Sequence, residues 1–157
     1  MGATTMEQTT SLIQNLQKSS PEITFASAQE FGWNPETKTI RYDESSDSIT
    51  AYLLHEYGHA LLSHDSYDRD IDLIAMERDA WKKAREIAKQ YDLTISAELV
   101  EDSLDSYRDW MHARSQCPMC SATGIQTEEQ RYTCIACRAS WKVNEARRCA
   151  LRRYKTK

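Results

Sequence analysis

Five consecutive residues carry the densest chemistry in this chain: His55, Glu56, Tyr57, Gly58 and His59. Two histidines four positions apart lie on one face of an α-helix, so both imidazoles can reach a single metal ion. Glu56 adjoins the first of them and is placed to take a proton from a water held by that metal, the division of labour in the H-E-x-x-H pattern of zinc hydrolases. The flanking Tyr52, Leu53, Leu54, Ala60, Leu61 and Leu62 are apolar and predict a buried helix over about residues 48–63. Burying two imidazoles and a carboxylate is unfavourable unless a cation compensates them, and a bound metal is such a cation.

A catalytic zinc takes three protein ligands and leaves a fourth position open. His64, Asp65, Glu77 and Asp79 follow the motif. A helix predicted over 70–91 has its apolar stripe through Leu73, Ile74, Ala80, Trp81, Ala84, Ile87, Ala88 and Tyr91, with Glu77 inside the stripe. Asp79 is rotated about 200° from Glu77 and faces water beside Arg78, Lys82 and Arg85. A carboxylate on a buried face needs a cation, either a metal or a lysine or arginine, and Glu77 is the expected third ligand. His64 would stand about 180° from His55 if the helix ran on, which predicts a surface residue or one that backs a ligand. Asp65 has the third-ligand spacing of metzincins, but Leu62 stands where that arrangement needs glycine.

Four of the five cysteines form two C-x-x-C pairs, Cys117 with Cys120 and Cys134 with Cys137, thirteen residues apart. Two close pairs of thiolates make a closed tetrahedral site for structural zinc, the pattern of a zinc ribbon. In a module of about 30 residues such a metal replaces a core too small to hold the chain. Cys149 is left over, a thiol on a short basic helix expected to close the chain. Arg138, Lys142, Arg147, Arg148, Arg152 and Arg153 follow or flank the second pair, with Tyr132, Trp141 and Tyr154 among them. Basic residues with interleaved aromatics suit a nucleic-acid backbone and its bases. A solvated basic tail or a protein-docking ribbon accounts for the same residues.

The elements around these groups read as a weak amphipathic helix over 4–18, a strand near 23–25, and a hairpin of 31–33 and 39–42 about the turn Asn34-Pro35-Glu36-Thr37. The two longer helices, 70–91 and about 96–114, come before the cysteine pairs. At 157 residues and net charge −4, the chain is sized for one domain with a small appendage. Residues 1–114 carry 11 basic and 21 acidic side chains; residues 115–157 carry 9 and 3, so the charges are −10 and +6. That asymmetry predicts two modules, 1–114 and 115–157, with different partners. No apolar run is long enough to span a membrane, no signal-peptide pattern opens the chain, and paired cysteines of this kind suit a reducing compartment. A cytoplasmic protein is expected.

The residues His55-Glu56-Tyr57-Gly58-His59-Ala60-Leu61-Leu62, then Glu77-Arg78-Asp79-Ala80, resemble the gluzincin metallopeptidases and within them the ImmA/IrrE-like family. The strand-and-hairpin segment 22–42 fits as well, so the likeness spans roughly residues 20–90, with H-E-x-x-H its specific part. The resemblance implies an α+β fold: a small zincin-like domain, with a short antiparallel sheet, an active-site helix and supporting helices, ahead of the C-terminal zinc ribbon. It implies a zinc metalloendopeptidase with two zinc ions, a catalytic one on His55, His59 and Glu77 and a structural one on the cysteines, with Glu56 as the base. An extended protein substrate would lie along an edge strand, the 38–42 segment, and would be a regulatory or DNA-associated protein. One position departs from the family: Trp81 stands where an Asp or Asn is usual, four residues after the ligand glutamate. An indole cannot accept a hydrogen bond from a ligand histidine, so the orienting group must come from elsewhere.

A protease domain followed by a ribbon also resembles the SprT-like proteases, which act on proteins attached to DNA. That family draws its third ligand from a histidine, and none lies in 70–91. A non-enzymatic reading makes the chain a zinc-ribbon regulator that binds nucleic acid or protein and carries a vestigial H-E-x-x-H site.

Overall fold

A computed structural model of the chain describes residues 5–144 and the backbone of 153–156. The fold is α+β, with four helices and two small sheets among the described residues. The contacts divide it into two compact units: Met1–Asp65 with Met76–Ala97, and Ser66–Ala75 with Glu98–Lys157. This is a different division from the one charge makes at residue 114, because the last long helix clusters with the cysteine module.

In the first unit, α1 (Met6–Ser19) opens with a reciprocal cap in which the Thr5 side chain accepts from Gln8 N–H and the Gln8 side chain accepts from Thr5 N–H. Three short strands follow: β1 (Thr24–Ser27), β2 (Gly32–Asn34) and β3 (Thr39–Tyr42). The hairpin between β2 and β3 forms as expected. Asn34 Oδ1 accepts from the N–H groups of Glu36 (2.9 Å) and Thr37 (3.1 Å), folding the turn locally. The sheet is mixed, however, and not antiparallel throughout: β1 joins β3 in parallel register, Thr24 opposite Thr39, and the order is β1-β3-β2. The 38–42 segment is therefore the central strand, paired on both sides. The expectation that a substrate could line its edge is corrected, because its ladder groups already have partners on β1 and β2.

Helix α2 (Ile49–Leu61) carries the H-E-x-x-H residues and buries Leu53 and Leu54 completely, as it does His55, Tyr57, Gly58 and His59 nearly so. It starts at Ser48 without a side-chain cap, so burial of its apolar face holds it. Helix α3 (Asp70–Gln90) runs through both contact units; its part in the first buries Glu77, Ala80, Trp81, Ala84, Ile87 and Ala88, the predicted stripe. Gly58 decides how near these helices come. A Cβ there would lie 2.6 Å from the Ala80 carbonyl oxygen, so the two backbones touch only because the side chain is missing.

The second unit holds α4 (Ala97–Ser115, its first residue excepted), the first turn of α3, and an antiparallel sheet of β4 (Ile125–Glu128), β5 (Arg131–Thr133), β6 (Ser140–Val143) and β7 (Arg153–Thr156). The closing basic helix is not found at 153–156, where the backbone pairs with β6; the rest of that segment, Cys149 included, lies outside the described residues. A core of Cys117, Tyr132, Cys134, Trp141 and Val143 fills the unit. Gly124 is obligatory beside it, since a Cβ would collide with the Trp141 ring and the Thr133 carbonyl.

An ion pair is buried here. Arg114, at the end of α4, donates through Nε to Asp70 Oδ2 at 2.7 Å, and both side chains are almost wholly enclosed. Tyr132 donates to the same carboxylate, Gln126 Oε1 accepts from Asp70 N–H at 2.8 Å, and Arg114 also donates to the Asn144 carbonyl. The Trp110 ring lies under the guanidinium, 4.5 Å from centroid to Cζ. With that many partners the buried charges are compensated rather than stranded. Among the described residues no helix is long and apolar enough to cross a membrane.

Candidate metal centres

The helical spacing of α2 and the close approach of α3 bring three donor groups to one point. His55 Nε2 lies 2.9 Å from Glu77 Oε2, His59 Nε2 lies 3.2 Å from Glu77 Oε1, and the two Nε2 atoms are 3.1 Å apart. If both Nε2 atoms carried a proton, two N–H groups would crowd each other across that last distance. A cation among the three groups removes the conflict. Zinc–nitrogen bonds of about 2.0–2.1 Å in a tetrahedron set ligand atoms about 3.3 Å apart, close to the observed edges. The His55, His59 and Glu77 donors form a group that could hold a metal ion.

The protonation states agree with that role. Burial pushes the His55 imidazole below its ordinary value, with Glu77 only partly opposing it, so the ring is held neutral. Burial alone would raise the Glu77 carboxyl, but hydrogen bonds from His55 and His59 outweigh it and hold the group far below the usual carboxylate range. Neutral imidazole and ionised carboxylate are the forms that bind metal.

Neighbouring side chains treat the two histidines differently. Trp81 stacks on His55, with ring centroids 4.1 Å apart at 24°, while His55 Nδ1 and Trp81 Nε1 are both buried with no hydrogen-bond partner among the described residues. His59 Nδ1 instead meets His64 Nδ1 at 2.8 Å. His64 gets there because α2 stops at Leu61 and Ser63 turns the chain back with φ +54°. The extrapolation of the helix past residue 61 is thus replaced by a reversal, and His64 backs a ligand without joining the donors. Asp65 is exposed and lines a cavity of about 270 Å³ with Trp33, Pro35, Lys38, Ala60 and Ser63. Asp79 turns outward and pairs with Arg78 at 2.9 Å. Glu56 is half-buried on α2.

The second cluster is made of loops. Cys117 and Cys134 each begin a tight turn of the same form: Cys117 N–H donates to Ala122 O and Cys134 N–H to Ala139 O, both at 2.8 Å, and Ser121 and Arg138 take positive φ of 63°. Sulfur separations of 3.6 Å (Cys117–Cys137) and 3.5 Å (Cys120–Cys134) are far longer than a disulfide. They sit near the edge of about 3.7 Å that zinc–sulfur bonds of about 2.3 Å give in a tetrahedron. Burial opposes ionisation of Cys117, but the N–H groups of Cys120 and Met119 bring its pKa down to about 7. Cys120 receives the Ala122 N–H, yet the crowding of the other sulfurs pushes it up to about 12. Four thiolates can coexist there only around a cation. The cluster is compatible with a zinc ribbon and could hold a metal ion.

Of the basic residues, Arg138 and Lys142 are exposed on the second turn and on β6. Arg153 pairs through its backbone with Val143, and Arg147, Arg148 and Arg152 lie outside the described residues. Sequence reasoning passed over Asp70 and Arg114, whose types and spacing resemble any surface charge. It also passed over Trp33, which supports His64.

In comparisons with known proteins, no family model, no curated protein and no solved structure matches this chain.

Proposed function

We propose that the chain is a zinc-dependent metalloendopeptidase, with His55, His59 and Glu77 holding a catalytic zinc and Cys117, Cys120, Cys134 and Cys137 a structural one. The observation that carries this reading is the convergence of two imidazoles and one carboxylate on a single point of α2 and α3, with Glu56 next to His55 in the sequence. Zinc bound there would supply Lewis acidity, lowering the pKa of a water and polarising a peptide carbonyl. Glu56 then takes the proton from the attacking water and passes it to the leaving amine. His64 and Asp65 stay out of the donor group. An extended substrate would add to an outer strand of the sheet; β2 is the one whose Trp33 bonds to the loop after α2. The +6 charge of residues 115–157 offers attraction to nucleic acid and so to proteins bound on it. A cytoplasmic location suits the unpaired thiols.

A second reading, a regulator in which the His/His/Glu site is only structural, is favoured by the unpartnered His55 Nδ1 and by Trp81 at its side. One experiment separates the two. Glu56→Gln should keep two zinc ions per chain and abolish cleavage of protein substrates, while trapping those substrates for identification. Full activity in that variant would sink the peptidase mechanism.

A further inference from the structure

A ligand histidine that gives one nitrogen to a metal must settle the other, and the partner of that second nitrogen fixes both the tautomer and the orientation of the ring. His59 turns Nε2 toward His55 and Glu77, which leaves Nδ1 for its second contact. That contact is His64 Nδ1, at 2.8 Å, with the rings edge-on at 64° and centroids 5.1 Å apart. Two imidazole nitrogens at this distance share one proton in a single direction at a time. With Nε2 committed to the donor group, His59 carries its proton on Nδ1 and donates it; His64 accepts on Nδ1 and keeps its own proton on Nε2.

The backbone of His64 is fixed from two sides. Its N–H donates to the His59 carbonyl at 3.0 Å, closing the turn that Ser63 starts, and its carbonyl accepts from Trp33 Nε1 at 3.0 Å. A backbone held by a helix end and by a strand sets the position from which the His64 ring reaches His59. His55 has nothing equivalent among the described residues: its Nδ1 is buried and finds no partner there, and a stacked indole covers its face. One ligand of the pair is thus steered by a directional bond and the other only by packing.

We infer that His64 is a positioning residue of the His55/His59/Glu77 metal site, accepting the His59 Nδ1 proton and so holding Nε2 on the metal. The inference rests on the reading of those three residues as a metal site. It assigns the orienting role, which Trp81 cannot fill, to a residue beyond the end of α2.

The test is metal affinity, measured without reference to cleavage. Zinc is titrated against a chromophoric chelator in the full-length protein and in two variants, with the cysteine cluster as an internal control. Wild type should show two sites. His64→Ala should weaken one of them by about 10- to 100-fold and leave the other unchanged. His64→Asn, whose amide oxygen can stand where Nδ1 stands, should recover most of that loss. Equal affinity in wild type and His64→Ala overturns the inference while sparing the metal site. So does an equal loss in both variants, which would mark a structural role without the hydrogen bond. Complete loss of the site in His64→Ala would make His64 a ligand and overturn it as well. A wild-type protein that binds metal only at the cysteines defeats the metal reading itself, and the inference with it.

Discussion

The two clusters draw their donors from opposite kinds of backbone. The cysteines come from two loops whose turns repeat the same hydrogen bonds, and their surroundings are thin: the core beside them is Tyr132, Trp141, Val143 and two of the cysteines themselves. The His/His/Glu group comes from two helices packed around fully buried Leu53, Leu54, Ile40 and Ala84. In the cysteine cluster a bound ion would substitute for a core; in the first unit a core presents three side chains that could hold one. The same chemistry, removal of one ligand, should therefore have unlike consequences in the two places.

The largest effect is expected in the second unit. Zinc binding supplies about 10–16 kcal/mol to the folding of comparable small modules, so Cys134→Ala should strip one zinc and leave β4, β5 and β6 without protection in hydrogen exchange. Retained protection there would break the comparison. Next, His59→Ala should remove the other zinc while leaving the amides of α2 and β3 protected, because Leu53, Leu54 and Ile40 still pack. Gly58→Ala is smaller in chemistry but tests the same idea from the packing side. Its methyl group meets the Ala80 carbonyl, and the overpacking should cost about 1–3 kcal/mol in a urea titration and weaken zinc binding at Glu77. The smallest effect is in the pH dependence of the metal-free first unit. His55 lies below its ordinary 6.5 and Glu77 below its ordinary 4.5, so the unfolded chain binds more protons than the folded one in acid. Stability should be fully present above about 6.5, fall as pH drops through that value, and fall again below about 4.5. A urea midpoint that stays flat between pH 7 and pH 5 would contradict the His55 assignment, and one that stays flat from about pH 4.5 down to pH 3 the Glu77 assignment.

What the sequence made legible was whatever depends on local spacing. The four-residue period of His55 and His59, the stripe that encloses Glu77, the turn at Asn34 and the two cysteine pairs are all short-range patterns, and each forms as read. What it hid depends on where the chain goes after an element ends. His64 could not be placed without knowing that Ser63 reverses the chain, and a serine at positive φ has no strong signature. The parallel partner of β3 was equally hidden, since nothing in Thr24–Ser27 distinguishes joining one side of a hairpin from extending it. Trp81 read as a missing hydrogen-bond acceptor at its position; in three dimensions it is the wall against which His55 lies.

The buried Asp70 carboxylate implies an order of assembly. Its partners Arg114 and Tyr132 are 44 and 62 positions away along the chain, and contacts of such separation wait on long loop closures. The cysteine contacts span only 14 and 20 positions, so a metal can gather them early and with them the strand that carries Tyr132. The first turn of α3 then has a finished surface on which to dock. Glu77 lies two turns further along the same helix.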